Sequence, residues 1–277
     1  MFHLSFPRGK HLGIVFLLCL FGQLLMGALF VATMTAFDLE LEALPQWLYP
    51  IGYLISFVPA IRYTWRRSGR PRIALTRTVQ NHPKAVAGLG FAFVLIGFGT
   101  GLLVGYLPTS DIIPQAGEHV PVGYGTAIMI VTLAPIVEEY LFRGLILERL
   151  LATRSERAAI LLSALLFGSV HLIPAHVIAA ALAGLALGYV YVRTRSLVLV
   201  TLLHVVNNGL SYLAGAADPE TPEWAVAYVE IPLGAATLVG GFLLLRHLTK
   251  SITPNARPVV QTDTPIEDYV PAPAEVG

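Results

Sequence analysis

The sequence predicts an all-α, polytopic membrane bundle of about eight transmembrane helices with N and C termini inside. Three observations carry this. Of the 277 residues, 55% are hydrophobic and only 13% are charged, whereas soluble domains carry about 25% charged residues. The apolar residues gather into runs of the length that crosses a bilayer, about 20 residues each. The connections between those runs alternate between basic and lysine- and arginine-free, the asymmetry that orients membrane helices.

The runs fall at roughly 11–36, 46–63, 84–107, 122–147, 157–173, 175–192, 197–215 and 225–246. The first follows Arg8 and Lys10, as a signal peptide would. Its apolar stretch is longer than the 7–15 residues of a signal core and no A-x-A site follows, so it reads as a retained helix. It holds the single cysteine, Cys19, which reads as a small buried or lipid-facing hydrophobe. The second run leads into "RYTWRRSGRPRIALTR" (62–77). The third carries Gly97, Gly101 and Gly105 and the sixth Gly184 and Gly188, four-residue spacings that let membrane helices approach closely. "ERLLATRSER" (148–157), "RTR" (193–195) and "RHLTK" (246–250) complete the basic, inner set. The outer set, "DLELE" (38–42), "LPTSDIIPQAGEHVP" (107–121), "IPAH" (173–176) and "DPETPE" (218–223), has neither lysine nor arginine.

Three regions follow. Residues 1–120 hold about three spans without a recognised motif, 121–248 form the chemically interesting core, and 249–277 form a tail rich in Pro, Thr and acidic residues. The tail has no periodic apolar face and reads as disordered. A net charge of +1 gives no reason to expect a nucleic acid partner.

The core contains charges that lipid should exclude. "EEYLFR" (138–143) places two glutamates and an arginine in a predicted span, where each charge costs about 2.5–3.5 kcal/mol on insertion scales. Glu139 and Arg143 are i and i+4, so they can pair on one face. Glu138 points elsewhere on the helix, and the same partner does not obviously neutralise it. A carboxyl of this kind can take up and return a proton, as a general base must. Pro135, one turn earlier, removes a backbone donor, permits a kink and leaves a carbonyl that water could satisfy. A purely structural ion-pair network is the competing reading.

Two further runs add polar groups. "FGSVH" (167–171) places His171 four residues after Phe167, and "HVVNN" (204–208) places Asn208 four residues after His204. At 1.5 Å per residue, Glu138 and His204 lie about 15 and 12 Å above the inner ends of their runs, and His171 about 21 Å. His171 is the outlier; helix tilt and a fifth run that starts below the lipid core would absorb one or two turns and let the three motifs meet in the inner half of the membrane. One chemistry open to them is hydrolysis of an acyl or peptide bond by carboxylate-activated water, with histidine and asparagine donors on the oxyanion. Another is a zinc ion held by Glu138, His171 and His204 with Glu139 as base. No HExxH is present, so the sequence leaves open whether a divalent metal such as zinc is bound or none.

In order and spacing, these motifs resemble those of the CPBP family, the CAAX proteases and bacteriocin-processing enzymes also called Abi proteins. That family is marked by EExxxR, FxxxH and HxxxN or HxxxD on separate membrane helices. The resemblance covers roughly residues 120–215. It implies a hydrolase, an intramembrane endopeptidase described in some members as a metalloprotease and in others as glutamate-dependent. It further implies that Glu138 activates water, His171 positions it, and His204 with Asn208 stabilises the oxyanion. Glu139 and Arg143 match the remaining positions and take the supporting ion pair. The implied substrate is a membrane-embedded or lipid-modified, CaaX-like protein or peptide, and the implied location is the plasma membrane. Two other functions compete: a proton-coupled transporter, which predicts inverted repeats that the sequence does not show, and a non-catalytic immunity or scaffold protein.

Overall fold

Each of the eight apolar runs folds as a helix, because in lipid only a helix satisfies every backbone polar group within one segment. In the computed structural model of the chain, residues 9–40, 43–68, 78–105, 123–215 and 223–252 are described. Among them all regular structure is helical. The main helices are α1 (Gly9–Phe37), α2 (Leu48–Ser68), α3 (Pro83–Val104), α4 (124–151), α5 (Glu156–Ser169), α6 (Pro174–Thr194), α7 (Leu197–Gly215) and α8 (Glu223–Thr249), with a single helical turn at Thr78–Asn81 before α3. The C-terminal tail from 253 onward and most of the 62–77, 107–121 and 218–223 connections lie outside the described residues.

Among the described residues, four segments are long and apolar enough to cross a membrane: Gly9–Phe37, Pro83–Val104, Pro174–Thr194 and Tyr228–Thr249. The others depart from that standard for visible reasons. Arg62, Arg66 and Arg67 lie within α2, and α4 carries the charges of the EExxxR motif. The predicted span 157–173 is shorter than expected, since α5 has 14 residues and reaches only about 21 Å of a ~30 Å hydrocarbon core. Ser155 caps its start by accepting from Ala158 N. Its end is a tight turn in which His171 N bonds Gly168 O and Leu172 takes φ 62°, and Pro174 then opens α6.

Helices in lipid gain little from burying apolar surface against each other, so packing and polar contacts decide the arrangement. The outer faces remain apolar: on α1, Leu17, Phe21 and Leu24 are each about 60% exposed, as a lipid-facing helix requires. Inside, α3 packs on α8, α5 on α6 and α1 on α2, and α7 lies against α4 and α3. The glycine pattern sorts differently from expectation. Gly184 and Gly188 do form the α5–α6 seam, since a Cβ on Gly184 would stand 3.1 Å from Ala164 Cα. On α3 the predicted stripe is used only in part: a Cβ on Gly97 would stand 2.7 Å from Asn207 Oδ1 of α7, while Gly101 faces open space. Instead Gly99 meets the α8 backbone, with Gly234 O 2.5 Å from where its Cβ would be.

α4 is where regularity breaks. Ile128–Leu133 and Tyr140–Leu147 are π-helical, flanking a six-residue α-helical piece, Ala134–Glu139. Such wide turns are rare and recur at functional sites. Here they bracket both glutamates.

Candidate active site

Pro135 explains the first wide turn. Ala134 N bonds Met129 O, five residues back, and the next bond in that register would run from residue 135 to Ile130 O. Proline has no N–H to give. The open carbonyl is filled from another helix: Asn208 Nδ2 of α7 donates to Ile130 O at 3.0 Å, and Asn207 Nδ2 donates to Asn208 Oδ1 at 3.3 Å. The sequence reading left this carbonyl to water; a side chain 78 residues away takes it. Ile130 lies eight residues before Glu138 on α4, and its carbonyl is the group that engages the Asn208 amide.

One turn below, the predicted Glu139–Arg143 pair is formed. Arg143 Nη1 lies 2.7 Å from Glu139 Oε1, and both side chains are 0% exposed. In a π turn residues four and five apart share a face, so the pairing survives the loss of α geometry. Arg143 Nη2 also donates to Gly184 O at 3.1 Å, tying α4 to the α5–α6 seam. Its guanidinium stands 4.6 Å above the Phe167 ring, where the ring face attracts a cation. The second π turn has a matching tie, since Ser163 Oγ of α5 donates to Phe142 O at 3.2 Å. Among the described residues, Glu139 Oε2 and Arg143 Nε are buried without a hydrogen-bond partner.

His204 sits between the two glutamates. Its Nδ1 is 2.9 Å from Glu139 Oε1 and its Nε2 is 3.7 Å from Glu138 Oε2. A carboxylate already paired with Arg143 accepts, so Nδ1 carries a proton and Nε2 faces Glu138. Glu138 is 6% exposed and has a second partner, the Tyr53 hydroxyl of α2, which donates to Oε1. Arg143 therefore pairs with Glu139 and leaves Glu138 to Tyr53 and His204.

His171 joins through Phe167. Its Nδ1 is 2.9 Å from Phe167 O, which only accepts, so Nδ1 donates and Nε2 keeps its lone pair. The Phe167 ring lies 5.0 Å from the His171 ring and 5.7 Å from the His204 ring, and Phe142 closes on it at 5.1 Å. Phe167 thus contacts both histidines. Of the six predicted residues, His204 contacts Glu138 and Glu139, Arg143 contacts Glu139, His171 packs on Phe167, and Asn208 bonds the Ile130 carbonyl. Sequence reasoning missed Tyr53, Gly184 O and Ser163. Tyr53 was visible only as a hydroxyl in an apolar run, with no spacing to link it to Glu138.

The zinc alternative asks Glu138, His171 and His204 to converge on one ion. Among the described residues no three His, Cys, Asp or Glu side chains are grouped to hold a metal ion. Each nitrogen of His204 faces a carboxylate.

Fold and site together define an integral membrane helical protein with a buried carboxylate–histidine–arginine centre. Residues 121–210 match the family model described as Type II CAAX prenyl endopeptidase Rce1-like. All three motifs lie inside that segment, about a third of the chain, and the match bears out the resemblance to the CPBP and CAAX protease family. Comparison with curated proteins and with solved structures gave no match.

Proposed function

We propose that this protein is an intramembrane endopeptidase that cleaves a membrane-associated or lipid-modified, CaaX-like protein by glutamate-activated water. One observation carries the reading: two adjacent buried glutamates are treated differently. Glu139 is bonded directly by Arg143, whereas Glu138 accepts from a tyrosine hydroxyl and faces the Nε2 of His204. A stored carboxylate next to a spent one is the arrangement a general base needs.

In this mechanism Glu138 takes a proton from water while the water oxygen bonds to the scissile carbonyl carbon. His171 Nε2 accepts from the same water and aims it. The tetrahedral oxyanion is stabilised by His204 acting in its doubly protonated form throughout, with Nε2–H as the donor. The Glu139 carboxylate at Nδ1 offsets the imidazolium charge. The C–N bond then breaks, and the proton held by Glu138 passes to the leaving amine. Asn208, for which the resemblance implies an oxyanion role, contributes by holding the Pro135 turn that sets the height of Glu138. Every step uses side chains of this chain and none is routed through a metal.

The lysine and arginine distribution supports eight spans with both termini inside, and a site opening towards the cytoplasmic side of the plasma membrane. Substrates are then membrane-proximal cytoplasmic segments. The test is quantitative terminal proteomics of membranes carrying wild type or Glu138→Gln at matched abundance. Peptide termini that form only with wild type are expected; identical termini would refute proteolysis.

A further inference from the structure

We propose that Tyr53 is a positioning residue for Glu138, so that α2, outside the matched segment 121–210, is part of the active site. This rests on the reading of Glu138 as the base that activates water.

A glutamate carboxyl has no strong intrinsic orientation, because its terminal sp³–sp² torsion is broad and roughly two-fold. Something must choose which oxygen faces the reacting water. In this protein the two oxygens are divided between helices. Oε1 accepts from Tyr53 on α2, and Oε2 faces His204 Nε2 on α7 at 3.7 Å. That second separation is too long for a direct hydrogen bond, so His204 alone does not fix the carboxyl plane. Tyr53 does. With Oε1 held, Oε2 is the oxygen free to take a proton, and it lies on the side of the histidines.

A positioning group must itself be positioned, and Tyr53 is. Its ring packs on Phe57, one turn along α2, with centroids 5.0 Å apart. Its carbonyl accepts from Ser56 Oγ at 2.7 Å. α1 closes behind that turn backbone to backbone, since a Cβ on Gly22 would stand 1.9 Å from Ser56 O. The turn 53–56 is therefore clamped on one side by α1 while Tyr53 reaches Glu138 on the other. This gives the first two helices, which carry no recognised motif, a chemical reason to be present.

The rival account is that Tyr53 only ties α2 to α4. The fold supplies a control for it: Trp65 Nε1 on α2 donates to Tyr140 OH on α4 at 2.9 Å, a tie of the same kind that does not touch Glu138. The experiment compares wild type, Tyr53→Phe, Trp65→Phe and Glu138→Gln at matched abundance. One readout is the rate at which wild-type-dependent peptide termini accumulate in membranes. The other, which needs no substrate, is infrared spectroscopy of the purified protein, following the carboxylate band that disappears in Glu138→Gln.

Losing one hydrogen bond to a charged group at the reacting centre should slow terminus formation by on the order of tenfold to a hundredfold in Tyr53→Phe. Trp65→Phe should stay within about twofold of wild type, because its tie does not touch the reacting group. The Glu138 band should shift in Tyr53→Phe alone. Fluorotyrosine installed at position 53, which keeps the hydroxyl, should restore the rate. Wild-type rates in Tyr53→Phe, an unmoved band, or equal losses in Tyr53→Phe and Trp65→Phe would each overturn the proposal. Unchanged termini in Glu138→Gln would instead overturn the proteolytic reading, and the infrared band alone would then decide whether Tyr53 sets this carboxyl.

Discussion

Replacing Arg143 by alanine isolates the feature on which the site depends most, the neutralisation of one of two adjacent buried glutamates. Arg143 is fully buried, bonds Glu139 Oε1 through Nη1 and Gly184 O through Nη2, and lies over Phe167. Its removal leaves Glu139 charged at 0% exposure, with only His204 for a partner. It also opens a gap the size of an arginine beneath the α5–α6 seam. Breaking one side of a buried pair costs about 3–5 kcal/mol, a shift of two to three and a half decades in the folded ratio at about 1.4 kcal/mol per decade. Arg143→Lys keeps the charge but lacks the planar fork that reaches two acceptors at once, so it should lose about 1 kcal/mol for the Gly184 contact. Glu139→Gln with Arg143→Met removes both charges and should recover most of the alanine loss. The assay is thermal unfolding of purified protein in detergent together with steady-state abundance in membranes. If Arg143→Ala unfolds within a degree of wild type, or the double variant is worse than either single change, the pairing argument fails.

Asn208→Ala should destabilise the protein by about 1–3 kcal/mol by orphaning the Ile130 carbonyl. The cost should largely vanish in a Pro135→Ala background, where residue 135 regains an N–H; equal losses in both backgrounds, measured by thermal unfolding, would break the link between Asn208 and the kink. In the proposed mechanism every step uses side chains, so strong chelators should leave terminus formation within about twofold of untreated membranes; a tenfold loss restored by added zinc would put a metal in the mechanism.

The sequence by itself determined what lies within one helix. Apolar runs near twenty residues became helices because lipid offers the backbone no other partner. Glu139 met Arg143 because four residues apart is neighbouring on any helical turn, α or π. Pro135 opened the backbone where a proline must. What the sequence could not carry is which group on another helix answers each opening. Asn208 instead of water fills the Ile130 carbonyl, and Gly184 O takes the second arm of Arg143. Tyr53 instead of a charge meets Glu138 across 85 residues of chain. His204 was expected on the oxyanion, and its place between both glutamates follows from how α7 lies against α4. Such contacts follow from rotation and depth of packed helices, which hydropathy constrains only loosely. Spacing along one helix already gives Arg143 to Glu139; what three dimensions add is the company Glu138 keeps, Tyr53 from α2 and His204 from α7, because those contacts depend on how separate helices pack.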